Sequence, residues 1–326
     1  MDARKSHKPL RKMLILVLAT TSLAACGNGF RPAADDSAYS IVRSLTGASY
    51  SGKKFYLGWG SAGDTSPAMM QNEVRYDVLH THDIFTNKIG GDYRGTEEIG
   101  AQATPATLRR DWQTIGSQIG ANDMYVQYSS GHGYPGGLGV GLDYGQIRDR
   151  VMSFNAKETI VFTMACFSGS EVDAFRARDA EFRRLAAQGK TLFVLTSSGD
   201  AEESSTGPGY DPDEPNGPLG SAGSAFGHSL WKALAGDADG VVDGVKDGMI
   251  DLSEVQVYTT QLTQQIGGHT PVAYGYNYEH LIMNEVPSSS YLADVKGGTE
   301  GLSDAQVREA AAALDSSQLA QAANGE

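Results

Sequence analysis

The chain has 326 residues, 40 % of them hydrophobic and 20 % charged, with 40 glycines, a composition that suits a folded globular protein with many turns and several long loops. Its formal net charge is −13, and leaving out the five basic residues and one acidic residue of positions 1–25 takes the remainder to −17. An acidic surface repels phosphate backbones and anionic headgroups, so nucleic acid is not an expected partner.

Positions 1–25 read as an export signal. Arg4, Lys5, Lys8, Arg11 and Lys12 precede the apolar run Met13–Ala19, which is too short to span a bilayer. Leu23-Ala24-Ala25-Cys26 resembles a bacterial lipobox, in which cleavage before the cysteine leaves its sulfur lipidated; a secretory peptide cut at Ala25 is the plainer alternative. Lipid on Cys26 would tie the protein to the cell envelope, and glycine rather than aspartate at position 27 favours the outer membrane. Residues 26–50 are small and polar and read as a tether.

From Lys54 the pattern becomes that of a folded domain, expected over 51–285. Lys54–Trp59 reads as a strand, and residues 67–85 as an amphipathic helix with Met70, Val74, Val78 and Leu79 at helical spacing. Thr104-Pro105 opens a second helix with Leu108, Trp112, Ile115 and Ile119 on one face. Asp123–Ser130 reads as a strand, Tyr144–Phe154 as a helix, and Thr159–Ala165 as a strand buried on both faces. A helix is expected from there to about Gln188, then a buried strand over Thr191–Ser197. Residues 198–223 form a long Gly/Pro/Ser/acidic loop of the kind that is functional or disordered. Ser224–Leu234 and Leu252–Ile266 read as helices around an acidic segment, and 286–326 as a polar tail with a helix over Ser303–Ala323. Strands alternating with helices predict an α/β fold, a three-layer α/β/α sandwich with a mainly parallel central sheet. Its functional residues should gather at the carboxyl ends of the strands.

Two polar clusters fall there. Ser129-Ser130-Gly131-His132-Gly133 follows one strand, and Ala165-Cys166-Phe167-Ser168-Gly169 follows the next. If Cys26 is acylated, Cys166 is the sole free thiol of an exported protein, a liability unless buried or used. It also precedes a predicted helix, whose partial positive charge favours a thiolate. Taken singly, a histidine or cysteine at a strand end is more often structural, but the paired placement in glycine context weakens that reading.

At these residues the chain resembles the caspase-like cysteine peptidases, and within them the legumain family. Ser130-Gly131-His132-Gly133 and Ala165-Cys166-Phe167-Ser168-Gly169 match the two family signatures in order, strand context and a spacing of 34 residues, and the likeness runs from about Lys53 to Gly275. The resemblance implies a caspase-like sheet, peptide or protein substrates, Cys166 as nucleophile, His132 as general acid/base, and the backbone N–H groups of Gly133 and Cys166 as the oxyanion hole. It implies no cofactor for the chemistry. Legumains carry an acidic residue two before the cysteine, and this chain has Met164, so asparagine specificity does not transfer. Pocket candidates are then Met164, Asp200, Glu203 and Ser204; Asp200, Glu202 and Glu203 are able to favour a basic side chain, against the plainer reading of a solvated loop.

The segment 237–254 is the second candidate site. Read from Asp243, it places Asp247 fifth, Gly248 sixth, Asp251 ninth and Glu254 twelfth, as in an EF-hand-like calcium loop. Val245 stands at the third position, where Asp237 and Asp239 would have to substitute, and an acidic capping turn is the alternative for a structural calcium. His80 and His82 point to different helix faces and make a poor zinc pair. The sequence therefore leaves three readings open: a membrane-anchored cysteine endopeptidase, a non-catalytic binding or scaffold module, and a transamidase or ligase using the same thioester.

Overall fold

The computed structural model describes residues 52–63, 65–88, 93–204 and 223–285. The expected signal 1–25, the tether with Cys26, residues 205–222 of the long loop and the tail from 286 onward lie outside the described residues. In chain order the elements are β1 (Lys54–Ser61), α1 (Ala68–Asp83), β2 (Tyr93–Ile99), α2 (Pro105–Gly116) and β3 (Met124–Gly131). Short strands β4 (Gly133–Tyr134), β5 (Gly137–Leu138) and β6 (Leu142–Asp143) follow, then α3 (Tyr144–Met152), β7 (Glu158–Met164), α4 (Gly169–Arg176), α5 (Asp179–Ala186) and β8 (Thr191–Thr196). The described chain ends with α6 (Ala225–Lys232), β9 (Met249–Asp251), α7 (Leu252–Gly267), β10 (Val272–Tyr276) and β11 (Ile282–Glu285).

The central sheet runs β10-β8-β7-β3-β1-β2, and every neighbouring pair is parallel except β10 with β8. Alternation along the strands sends Tyr56, Val126, Tyr128, Ile160, Phe162 and Phe193 to one face, against α1, α6 and α7. Phe55, Leu57, Tyr125, Val161, Leu192 and Val194 go to the other, against α2, α3, α4 and α5. The result is a three-layer α/β/α sandwich, each fully buried large side chain contributing about 1.5–3 kcal/mol. Trp59 and Trp112 sit in this core, as does Trp231.

Capping residues set the helix starts. Thr104 and Thr107 form a reciprocal capping box with Pro105 in the first turn of α2, and the Ser224 hydroxyl accepts the Gly227 N–H at 2.8 Å to open α6. The expected helix running to Gln188 is instead two helices, α4 and α5, broken at Ala177-Arg178. Across that break Phe175 and Phe182 stack with ring centroids 5.7 Å apart, both buried against the sheet. The helix expected over 67–85 ends as α1 at Asp83 and continues as a π-turn over Ile84–Lys88; the one expected to Leu234 likewise passes into a π-turn over Ala233–Asp237. His82 faces Glu97, with 3.4 Å between Nδ1 and the carboxylate.

Candidate active site

Strand register brings the two signature segments together. Ser130 of β3 pairs with Met164 of β7, so His132 and Cys166 each stand two residues beyond the same rung of adjacent parallel strands. Neighbouring strands lie about 4.8 Å apart. The contact is direct at Gly133, where a Cβ would come within 2.0 Å of the Cys166 carbonyl oxygen. Only glycine lets the histidine loop close on the cysteine turn.

His132 is held from two sides. Its carbonyl accepts the Gly139 N–H at 2.7 Å, tying it to the hairpin in which Gly133 pairs with Leu138. Hydrogen-bonded and non-hydrogen-bonded pairs alternate in an antiparallel ladder, so a bond at His132–Gly139 leaves the Gly133 N–H outside it. On the ring, Nε2 lies 2.8 Å from the Ser66 hydroxyl oxygen. That hydroxyl donates its one proton to the Ala62 carbonyl. With its proton on Ala62, Ser66 accepts from Nε2–H, the tautomer that leaves the Nδ1 lone pair to take a proton. The imidazole is exposed.

Cys166 is half-buried, and among the described residues its Sγ makes one long contact, 4.0 Å, to the Ser204 carbonyl oxygen. Phe167 follows in the left-handed region at φ 58°, a strained backbone of the kind that collects at functional sites. Its N–H donates to the Glu202 carbonyl at 2.7 Å. Behind the turn, the Ala165 carbonyl accepts from the hydroxyls of Ser198 and Ser204 at 3.0 Å each and Ser197 at 3.2 Å, and Ser168 joins Ser197 and Ser198. These hydroxyls fix the cysteine turn from below.

Of the expected pocket residues, Met164 is buried beside Ser130, Ser204 lies over Cys166, and Asp200 and Glu203 are exposed. Glu202 has a different use: its carboxylate accepts the N–H groups of Gly199 at 3.0 Å and Thr270 at 2.7 Å, clamping the loop to the end of α7.

Sequence patterns missed a polar stripe on the inner side of α1. Thr81 accepts from the Tyr56 hydroxyl at 2.7 Å. One turn earlier, Asp77 accepts from the Ser130 hydroxyl and from the Ser224 N–H, each at 2.9 Å. Burial pushes the Asp77 carboxyl up to about 6, against these hydrogen bonds. Another turn earlier lies Glu73, 3 % exposed, which burial and the neighbouring Asp77 charge push up to about 8. A third buried carboxyl, Glu171 in the first turn of α4, makes no hydrogen bond of good geometry among the described residues; burial raises it to about 7, against the lowering effect of the nearby Thr163 hydroxyl. A glutamate three to four residues before an aspartate on a helix carries no hydrophobic signal, and only the fold shows that this side of α1 faces inward.

In the segment 237–254 the carboxylates serve the backbone. Asp251 and Glu254 form the reciprocal cap of α7, with Glu254 also accepting the Gly240 N–H at 2.8 Å. Asp239 accepts from the N–H groups of Asp247 and Gly248 at 3.1 Å each, Asp243 from Val245, Asp247 from Met249, and Asp237 pairs with Lys232 at 3.2 Å. Among the described residues no group of three or more His, Cys, Asp or Glu side chains converges as a metal cage.

No protein-family model matches the chain, and no curated protein matches it. Among solved structures, it is similar to protein GSU0716 from Geobacter sulfurreducens, at 14 % identity and a TM-score of 0.45, over 72 % of this chain and 100 % of that one.

Proposed function

We propose that the protein is a cysteine endopeptidase anchored to the cell envelope through lipid on Cys26. The observation that supports this reading is the matched register of β3 and β7, whose last paired rung lies two residues before both His132 and Cys166, with Gly133 against the Cys166 carbonyl. In the proposed reaction His132 Nδ1 takes the Cys166 proton and Sγ attacks the scissile carbonyl carbon. The N–H groups of Gly133 and Cys166 receive the oxyanion. As the C–N bond breaks, the imidazolium gives its proton to the leaving amine, and a thioester remains. Water then attacks the thioester carbon, losing a proton to His132, which returns it to sulfur as the C–S bond breaks. Ser66 accepts from Nε2–H both before and after Nδ1 takes its proton.

No helix among the described residues is long and apolar enough to cross a membrane. The Leu23-Ala24-Ala25-Cys26 sequence supports lipid on Cys26 as the attachment, and Gly27 supports the outer membrane. The test is alkylation of Cys166 by iodoacetamide together with turnover of a peptide library. Rapid labelling that falls in His132→Ala, and turnover lost in Cys166→Ala, are expected. A thiol no faster than a free cysteine, with no peptide cleaved, would make the fold a binding module. An acyl group passed to an added amine in preference to water would make it a transamidase.

A further inference from the structure

The helix α1 descends from the strand carboxyl ends. A Cβ on Gly60 would meet both Val74 and Val78, one on Gly58 would meet Val78, and Thr81 receives the Tyr56 hydroxyl, so successive turns of α1 step down β1. Asp77 is fixed in this frame by its bond to Ser130, two residues before His132. Glu73 is one helical turn above it, about 6 Å along the axis, and two strand residues span about 6.6 Å. Helical side chains lean toward the helix N-terminus, which here is toward the strand ends. Glu73 thus stands at the height of His132 and Cys166, on the side of α1 that Asp77 turns to β3 and the start of α6. It is 3 % exposed, with no hydrogen bond or ion pair among the described residues, and the one charge acting on it is another carboxylate.

A buried carboxylate beside a second one has no reason to persist in a core where an amide or an apolar side chain would cost less. It has one if a cation is delivered to it. Resting on the hydrolase reading above, we infer that Glu73, backed by Asp77, receives the guanidinium or ammonium of a substrate side chain at the residue preceding the scissile bond. Met164 and Ser130, paired on the rung below the dyad, are both buried on the α1 side of the sheet, with Ser130 bonded to Asp77. Without a cation beside it, Glu73 keeps its proton at neutral pH; an arriving cation displaces that proton to solvent and takes its place. Asp77, already bonded to Ser130 and the α6 N-terminus, holds the second negative charge in position without touching the substrate.

The experiment uses the full chain and two peptidyl acyloxymethyl ketones that differ only in arginine or citrulline before the reactive carbon, with Cys166 modification followed by mass spectrometry. Citrulline keeps the shape of arginine and removes the charge. The arginine probe is expected to label at least about thirtyfold faster, as for a buried charge pair against its neutral partner. Glu73→Gln should bring the two rates within about threefold, and Glu73→Asp should keep part of the preference. The wild-type ratio decides the matter even if the variants fold poorly. Equal rates for the two probes, with Cys166 still reactive to iodoacetamide, would overturn the cation pocket and leave the hydrolase standing. A preference that survives in a folded Glu73→Gln would move the recognition to another residue and overturn the assignment. An inert Cys166 toward all three reagents would overturn both.

Discussion

Two regions rich in acidic and nucleophilic residues drew attention in the sequence, and the structure treats them in opposite ways. In the segment 237–254 the named carboxylates have backbone N–H groups, a hydroxyl or a lysine to bind. Around the carboxyl ends of β3 and β7 the polar groups are left open: an exposed imidazole, a sulfur with one long contact among the described residues, a strained Phe167, and two buried carboxyls, Glu73 beside the Asp77 charge and Glu171 with no hydrogen bond of good geometry among the described residues. Native proteins satisfy buried polar groups unless something else uses them. Residue type alone made the two regions look alike, and hydrogen-bond accounting separates them.

The contrast breaks most readily at the thiol. Cys166→Ala should lower peptide turnover on the order of 10⁴-fold, the scale of losing a nucleophile, while leaving the urea midpoint nearly unchanged. A variant that retains turnover would remove the strand-end cluster from the chemistry.

Glu171 sharpens the same contrast through stability. Its folded-state value of about 7 lies above the ordinary 4.5, so the protein binds this proton more tightly folded than unfolded. The stability it contributes is complete below about 4.5 and is lost as pH rises through about 7. Glu171→Gln stays neutral throughout and should gain roughly 2–3 kcal/mol on the wild type between pH 5 and pH 8. Urea unfolding at the two pH values measures this, and a difference that does not change with pH would mean that the carboxyl has a partner.

The sheet was legible because its central strands are apolar on both faces: Thr159–Ala165 and Thr191–Ser197 correspond to β7 and β8 within a residue or two. The edge strand β2, Tyr-Arg-Gly-Thr-Glu-Glu-Ile, was not, since an edge with exposed Arg94 and Gly95 needs no apolar run. Nor were β4 to β6, whose glycine-rich stretch has no alternation to read. The positions of His132 and Cys166 could be inferred because two strands end in glycine-flanked polar residues. Ser66 could not, since a serine in a loop has no pattern, and its meaning comes from a histidine 66 residues away.

Ser66 gives the next largest effect. Ser66→Ala frees Nε2 and lets the other tautomer compete, at an expected loss of about tenfold in kcat/KM, the scale of one hydrogen bond to a group that becomes charged. Ser66→Thr restores most of it, and the change should appear in kcat more than in KM. An unaltered kcat would mean that the backbone hold through Gly139 suffices to orient the ring.

The smallest effect tests the closed side of the comparison. Asp251 accepts the Glu254 N–H at 3.0 Å and the Ser253 hydroxyl at 2.6 Å, so it acts as the cap of α7. Asp251→Ala should cost about 1 kcal/mol by urea unfolding, the ordinary value of a lost cap. Because these bonds come from protein donors, the deficit should be the same in chelator as in calcium. A deficit that grows when calcium is supplied would mean that these oxygens also hold a cation, and the sequence expectation of a calcium loop would then replace the capping account.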